Sequence, residues 1–253
     1  MERSFKQDKL TVRILESRDA MGKAAAEDIA RCMLRLLEEK AELNMIFAAA
    51  PSQNEVLKYL AADLRLPWER VNAFHMDEYI GLRPDAPQGF ANFLRRAIFD
   101  RVPFKSVNVI NGAAAPEEES RRYARLLAQY PADIVCLGIG ENGHIAFNDP
   151  PAVFDDPVWV KAVALDAVCR MQQVHDGCFA ALDDVPRSAL TLTVPALARA
   201  RYHFCVVPAA SKAWAVERTV RGEIGPSCPA TVLRMLDNAV LYCDADSGRG
   251  LLS

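Results

Sequence analysis

The chain of 253 residues is 51% apolar and 25% charged, and its 30 basic and 33 acidic side chains leave a formal net charge of −3. That apolar fraction and weak net charge exclude a disordered chain, and the near-neutral balance gives no basis for a nucleic-acid or membrane-surface partner. Its 12 glycines and 15 prolines are ordinary usage, which excludes collagen-like and low-complexity chains.

Residues 12–16 read as a first strand. Residues 19–41 are rich in Ala, Leu, Glu and Arg with apolar residues at helical spacing, the pattern of a long helix. Strand 44–48, helix 55–64 and strand 71–76 follow, then a helix over 89–100 and a short strand at 107–110. Pro116 and the glutamates just after it, with arginines further along, have the charge order a helix favours, so 116–130 is predicted helical. The run Asp133-Ile134-Val135-Cys136-Leu137 is unbroken and apolar, as expected of a central parallel strand buried on both faces. Strands are predicted at 158–165, 202–207 and 239–243, with a helix over 211–220 between the last two. Strand and helix alternate with no linker, repeat or charge block, which predicts one α/β domain over residues 1–253 with a mostly parallel sheet. In such sheets the chemistry lies in the loops beyond the carboxyl ends of the strands.

The seven cysteines are odd in number and none has C-x-x-C spacing, so neither a disulfide framework nor a zinc site is expected. The polar N-terminus has no apolar signal core, and no stretch approaches the roughly 18 apolar residues of a membrane span. A cytoplasmic protein is expected, with no membrane partner.

Two loops carry candidate chemistry. Gly138-Ile139-Gly140-Glu141-Asn142-Gly143 fits the dinucleotide pattern G-x-G-x-x-G, but Pro150 and Pro151 follow too soon for the long helix that would hold a pyrophosphate. No dinucleotide is expected. Instead His144, Asn142 and Asp149 fall in one tight loop, and a carboxylate beside a histidine fixes its tautomer and raises its basicity. The second loop places Asp77 and Glu78 directly after an apolar strand, where Asp77 can carry a proton between neighbouring carbons of a sugar or act merely as a cap. His203, in an apolar strand, reads as a structural histidine. His75 reads as a hydrogen-bonding group near the site, and His175 with Asp176 as either pocket-lining or a surface turn. Trp68, Trp159 and Trp214 read as packing residues.

Phe74-His75-Met76-Asp77-Glu78-Tyr79-Ile80-Gly81-Leu82, together with Leu137-Gly138-Ile139-Gly140-Glu141-Asn142-Gly143-His144-Ile145-Ala146-Phe147-Asn148, resembles the glucosamine-6-phosphate deaminase (isomerase) family. The resemblance implies a doubly wound, Rossmann-like α/β sheet with helices on both faces. It implies conversion of an amino-sugar 6-phosphate to a ketose 6-phosphate and ammonia, without cofactor or metal. His144 would open the sugar ring, Asp77 would move the C2 proton, and Asn142 and Asp149 would orient His144. Gly138 and Gly140 would line the substrate site. The chain ends soon after its last predicted strand, so a C-terminal regulatory extension is not expected; a homo-oligomer is compatible with the sequence.

Three positions depart from the family pattern. Asp149 stands where Glu is usual, and Asn142 where some members have Asp. The glycine-rich phosphate loop is replaced by Ala49-Ala50-Pro51-Ser52-Gln53-Asn54-Glu55, which has no glycine. Ser52, Gln53 and Asn54 are then the candidate donors there. Lys212 matches a family phosphate-binding lysine, and Arg170 is the candidate for a second basic contact. Two other readings remain: a hydrolase of the related 6-phosphogluconolactonase type, and a non-catalytic sugar-phosphate sensor.

Overall fold

The structure, a computed structural model, describes residues 2–252. Strand β1 (Arg3–Gln7) turns back onto β2 (Leu10–Ile14) as an antiparallel hairpin. Helix α1 (Arg18–Glu39) follows, its first turn capped by Ser17, whose Oγ accepts from the Ala20 N–H at 3.1 Å. Then come β3 (Leu43–Phe47), α2 (Asn54–Ala62), β4 (Val71–His75) and the three-residue β5 (Asp77–Tyr79). The predicted helix over 89–100 is α3 (Phe90–Leu94) continued by a π-helical turn at Arg95–Phe99. Next are β6 (Ser106–Asn108), α4 (Pro116–Gln129), β7 (Ile134–Leu137), β8 (Val160–Ala164) and α5 (Ala167–His175). The chain closes with β9 (Ser188–Leu192), α6 (Val194–Ala198), β10 (Tyr202–Val207), α7 (Ala213–Arg221) and β11 (Ala239–Cys243).

Eight strands form one sheet in the order β1-β2-β11-β10-β7-β3-β4-β6, and every pairing except β1–β2 is parallel. The expected α/β class therefore holds. Alternate residues of the central strands feed two apolar cores. Phe47, Cys136 and Val206 pack on one face; Ile46, Val135 and Cys205 on the other. Burial on both faces is what made these strands unbroken apolar runs. Chain order runs outward from β3 through β4 to β6, returns to β7 beside β3, and then runs the other way to β11. The β3–β7 junction is thus the switch point, where the following loops diverge and leave a crevice.

The sequence patterns missed α5, β9 and α6, and two features of the sheets. Arg3–Gln7 adds an edge strand before the first predicted one. The predicted strand at 158–165 does not join the main sheet: β8, β9 and β5 form a separate antiparallel sheet in the order β5-β9-β8. Asp77 pairs with Thr191 there, so the chain leaves the parallel sheet at Met76 and places Asp77 on the joint between the sheets. No described helix is long and apolar enough to cross a membrane.

Candidate active site

One cleft opens at the switch point. Its walls come from the loops after β3 (Ala48 to Ser52), β4 (Met76, Asp77), β7 (Gly138 to Gly140, His144, Ala146, Phe147) and β10 (Pro208, Ala209, Ser211, Lys212). Arg18 at the start of α1 and Gln172, Gln173 and Asp176 at the end of α5 complete it. Four strand ends converge here, as expected for an open α/β sheet.

His144 is buried, and its ring lies against Gly140: a Cβ at position 140 would stand 2.1 Å from the imidazole Cε1. Its Nδ1 lies 2.8 Å from Asn142 Oδ1 and 3.1 Å from Asp149 Oδ1. Asn142 Nδ2 donates to the same Asp149 oxygen at 3.0 Å, and Asn142 Oδ1 also accepts the His144 backbone N–H at 3.1 Å. Two acceptors therefore hold the ring proton on Nδ1 and leave Nε2 as the basic nitrogen. Burial works to raise the Asp149 carboxyl, but hydrogen bonds from His144 and Asn142 outweigh it and hold it below the ordinary value. The aspartate, shorter by a methylene than the family's usual glutamate, still reaches the imidazole.

No glycine-led helix follows β7. Instead Asn148 closes the loop by donating to the carbonyls of Ile145 and Leu192 at 2.9 and 2.8 Å, and Thr191 Oγ1 accepts the Phe147 N–H at 3.0 Å. Phe147 stacks on Phe90 at 5.6 Å, and both line the cleft.

Asp77 faces the same cleft and is buried. Desolvation, reinforced by the neighbouring Glu78, pushes its carboxyl well above the ordinary value. Glu78 itself is committed to structure: its oxygens accept the backbone N–H groups of Tyr79, Phe90 and Ala91 at 2.9–3.0 Å. The pair thus divides into a carboxylate on the cleft, without a side-chain hydrogen bond among the described residues, and a helix cap behind it.

The candidate binding residues divide as well. Ser52, Gly138, Gly140 and Lys212 line the cleft. Lys212 is buried, its ammonium has no hydrogen bond or ion pair among the described residues, and burial lowers its pKa despite Asp176 and Glu141 nearby. A Cβ on Gly138 would lie 3.1 Å from Ser52 Oγ, so the bare glycine lets the 51–53 turn close over the strand ends.

Gln53, Asn54 and Arg170 do not face the cleft. Gln53 is fully buried and its Nε2 donates to the carbonyls of Leu137 and Val206, both at 3.3 Å, tying the turn to two strand ends. Asn54 is exposed at the start of α2. Arg170 spends its guanidinium on the carbonyls of Leu182 and Val185, where it straps the segment after α5. Glu55, at the end of the glycine-free stretch, ion-pairs with Arg18 Nε at 2.9 Å and does not line the cleft.

His75 is a buried strut whose Nε2 accepts the Ile110 N–H at 2.8 Å; desolvation pushes its pKa down to about 3, so it stays neutral. His203 is structural, bonded to the Leu197 carbonyl at 2.9 Å. His175 is exposed and only Asp176 reaches the cleft. Trp68 packs edge-on against Phe104 at 4.8 Å, whereas Trp214 is 59% exposed and is not a packing residue.

Sequence reading missed Arg18, Gln172, Gln173 and Cys169. Arg18 follows the carboxyl end of β2, so the strand-end rule points to it. Gln172 Oε1 accepts the Glu141 N–H at 2.8 Å and docks α5 on the glycine loop, while Gln173 presents a buried carboxamide to the cleft. Cys169 brings a thiol to His144 and Asp149: one donor atom from each of the three lies within 4.8 Å of the others. No spacing in the sequence signals that cluster.

A buried, raised carboxylate and a carboxylate-backed imidazole facing one crevice of an open α/β sheet define a proton-transfer site. The sequence profile described as "Glucosamine-6-phosphate isomerases/6-phosphogluconolactonase" matches residues 16–242, and the chain belongs to that family. The glucosamine-6-phosphate deaminase of Bacillus cereus (strain G9842) is 33% identical over 227 residues, covering 87% of this chain and 84% of that one. The deaminase of Bacillus thuringiensis (strain Al Hakam) is 32% identical over the same length and coverage. A solved monomeric glucosamine-6-phosphate deaminase superposes with a TM-score of 0.85 at 25% identity, covering 94% of this chain and 98% of its own. The 6-phosphogluconolactonase of Thermotoga maritima superposes at 0.76 with 20% identity, covering 93% and 100%, and shares the fold.

Proposed function

We propose that this chain is an amino-sugar-6-phosphate deaminase and isomerase, which converts a hexosamine 6-phosphate and water to a ketose 6-phosphate and ammonia. The observation that carries the reading is the convergence of Asp77 and His144 in one cleft. His144 Nε2 takes the anomeric hydroxyl proton and returns it to the ring oxygen, which opens the sugar. Asp149 and Asn142 stabilise the imidazolium that forms in between. Asp77 as carboxylate then removes the C2 proton while the C1 oxygen takes a proton from the substrate's own ammonium group, giving an enolamine between C1 and C2. Delivery of that proton to C1 leaves an imine at C2. Water adds there and ammonia leaves, so oxygen replaces nitrogen and no electrons are gained or lost overall. The raised Asp77 carboxyl suits both halves of this transfer, because a base poised nearer neutrality also returns its proton readily.

Lys212 and Ser52 bind the 6-phosphate at the β3 and β10 ends, in place of a glycine cradle. Residues 1–253 act as one domain in the cytoplasm; the seven cysteines, all without disulfide partners, support a reducing compartment.

The test is a panel of hexosamines, each with and without the 6-phosphate, scored for ammonia and ketose. Ammonia release confined to the phosphorylated sugars is the expected result. Hydrolysis of 6-phosphogluconolactone without ammonia release from any hexosamine 6-phosphate defeats the proposal.

A further inference from the structure

A His144 ring nitrogen, an Asp149 oxygen and the Cys169 sulfur offer nitrogen, oxygen and sulfur donors from two separate elements, with one donor atom of each within 4.8 Å of the others. Around a tetrahedral zinc ion, bond lengths of about 2.0–2.3 Å place donors roughly 3.3–3.8 Å apart. Closing the cluster therefore takes about 1 Å of side-chain movement at its widest pair. The thiol's place is fixed: Cys169 is fully buried in the first turn of α5, where its N–H donates to the Asp166 cap at 2.6 Å. Burial above all, and then the negative neighbours Asp149, Asp166 and Asp77, push the Cys169 thiol up, so it stays protonated until a cation enters; Lys212 nearby opposes that cation. The proton transfers proposed above make no use of this sulfur.

We propose that His144, Asp149 and Cys169 form an inhibitory site for a thiophilic divalent cation of the Zn²⁺ kind. The mixed nitrogen, oxygen and sulfur set selects Zn²⁺ or Co²⁺ over Mg²⁺ and Ca²⁺, which prefer all-oxygen shells. On binding, the Cys169 S–H proton leaves to solvent and the thiolate pair enters the metal bond. The His144 ring proton moves from Nδ1 to Nε2, so Nδ1 can coordinate. The Asp149 carboxylate binds as it stands, and one water completes the shell. The ring then carries its proton on the nitrogen that must accept one, and turnover stops. Inhibition rests on the deaminase reading; binding does not.

The experiment titrates the full chain with Co²⁺, Zn²⁺ and Mg²⁺, and repeats the series with Cys169→Ser and Cys169→Ala. Co²⁺ should give a thiolate-to-cobalt charge-transfer band that Zn²⁺ displaces and both variants lack. Zn²⁺ should inhibit the wild type reversibly, with activity restored by a chelator, while Mg²⁺ does nothing. Both variants are read against their own metal-free rates. Loss of even an outer-shell partner typically costs 10–100-fold in affinity, so they should need at least about tenfold more Zn²⁺. No charge-transfer band on the wild type, or the same Zn²⁺ titration in both variants, overturns the proposal. Absence of turnover on every hexosamine 6-phosphate sinks the deaminase reading instead, and leaves the cobalt band to decide the site by itself.

Discussion

The imidazole of His144 lies directly over the bare Cα of Gly140: a Cβ there would fall 2.1 Å from Cε1 and 2.3 Å from both ring nitrogens. No side chain fits without turning the ring. The second glycine of the loop is therefore a seat for the base rather than a phosphate contact. Gly140→Ala should drive the imidazole off its Asn142 and Asp149 partners. A misplacement of about 1 Å can cost on the order of 10²-fold in rate, and a drop of that size in kcat is expected. The check is steady-state kinetics beside a melting curve. An alanine variant as active as the wild type would show that the ring need not stay there.

Asp149→Asn keeps the shape but turns an acceptor of the Nδ1 proton into an amide able to present N–H instead. The tautomer that frees Nε2 then loses one of its two anchors. A fall of roughly 10²–10⁴-fold in kcat, the range for a misplaced general acid–base group, is expected with little change in KM. The partner test is Asp149→Glu. The structure shows the aspartate already in contact with the ring at 3.1 Å, so a longer acid crowds it and should lower the rate.

Asp77 opposes function to stability. Its carboxyl is raised in the folded protein by burial and by Glu78, so the folded state binds a proton more tightly than the unfolded state does. Stability is then lost as pH rises from the unfolded carboxyl value of about 3.9 through the raised folded one. Asp77→Asn removes that cost. The variant should be inactive yet melt higher than the wild type at neutral pH, with the two curves converging in acid. In turnover the sign runs the other way: Asp77 must be ionised, so the acid limb of kcat/KM should lie above the ordinary carboxylate range. Equal melting temperatures at neutral pH would mean the carboxylate is better solvated than its burial implies.

Lys212 is a buried cation with no partner among the described residues, so it costs stability until an anion arrives. Lys212→Met should leave the melting temperature unchanged or higher. A hydrogen bond to a charged group contributes about 1.5–3 kcal/mol, so KM for the 6-phosphate should rise roughly 10- to 150-fold. The unphosphorylated sugar should not notice the change. A matching loss on both sugars would place the phosphate elsewhere.

What the sequence disclosed follows from how local each signal is. The parallel strands announce themselves as apolar runs because both faces are buried, and β7 is the clearest case. The His144 loop is legible because its glycines, amide and carboxylate all lie within twelve residues of one another. β5 and β9 are hidden: each is short, and their pairing joins Asp77 to Thr191 across more than a hundred residues. Cys169 and Gln173 reach the site only because α5 docks through Gln172 onto Glu141, a contact no pattern encodes. Arg170 misled for the opposite reason. An arginine near a phosphate site reads as a ligand, while here its donors satisfy two loop carbonyls.

Ala209 holds a backbone conformation that a side chain resists, with φ 81° and ψ 148°. It lines the cleft three residues before Lys212, and its N–H donates to Asp244 Oδ2 at 3.0 Å, which pins the turn that delivers the lysine. Such a non-glycine conformation costs of order 1–3 kcal/mol. Glycine removes that cost but gives back about 0.4–1 kcal/mol through a looser unfolded chain. Ala209→Gly should therefore stabilise by about 1 kcal/mol, a rise of roughly 2–4 °C in Tm for a chain of this size. Because the Asp244 bond stays, Lys212 keeps its place and KM should not move. A gain in Tm with a higher KM would mean that the strained alanine, and not Asp244, holds the lysine turn in register.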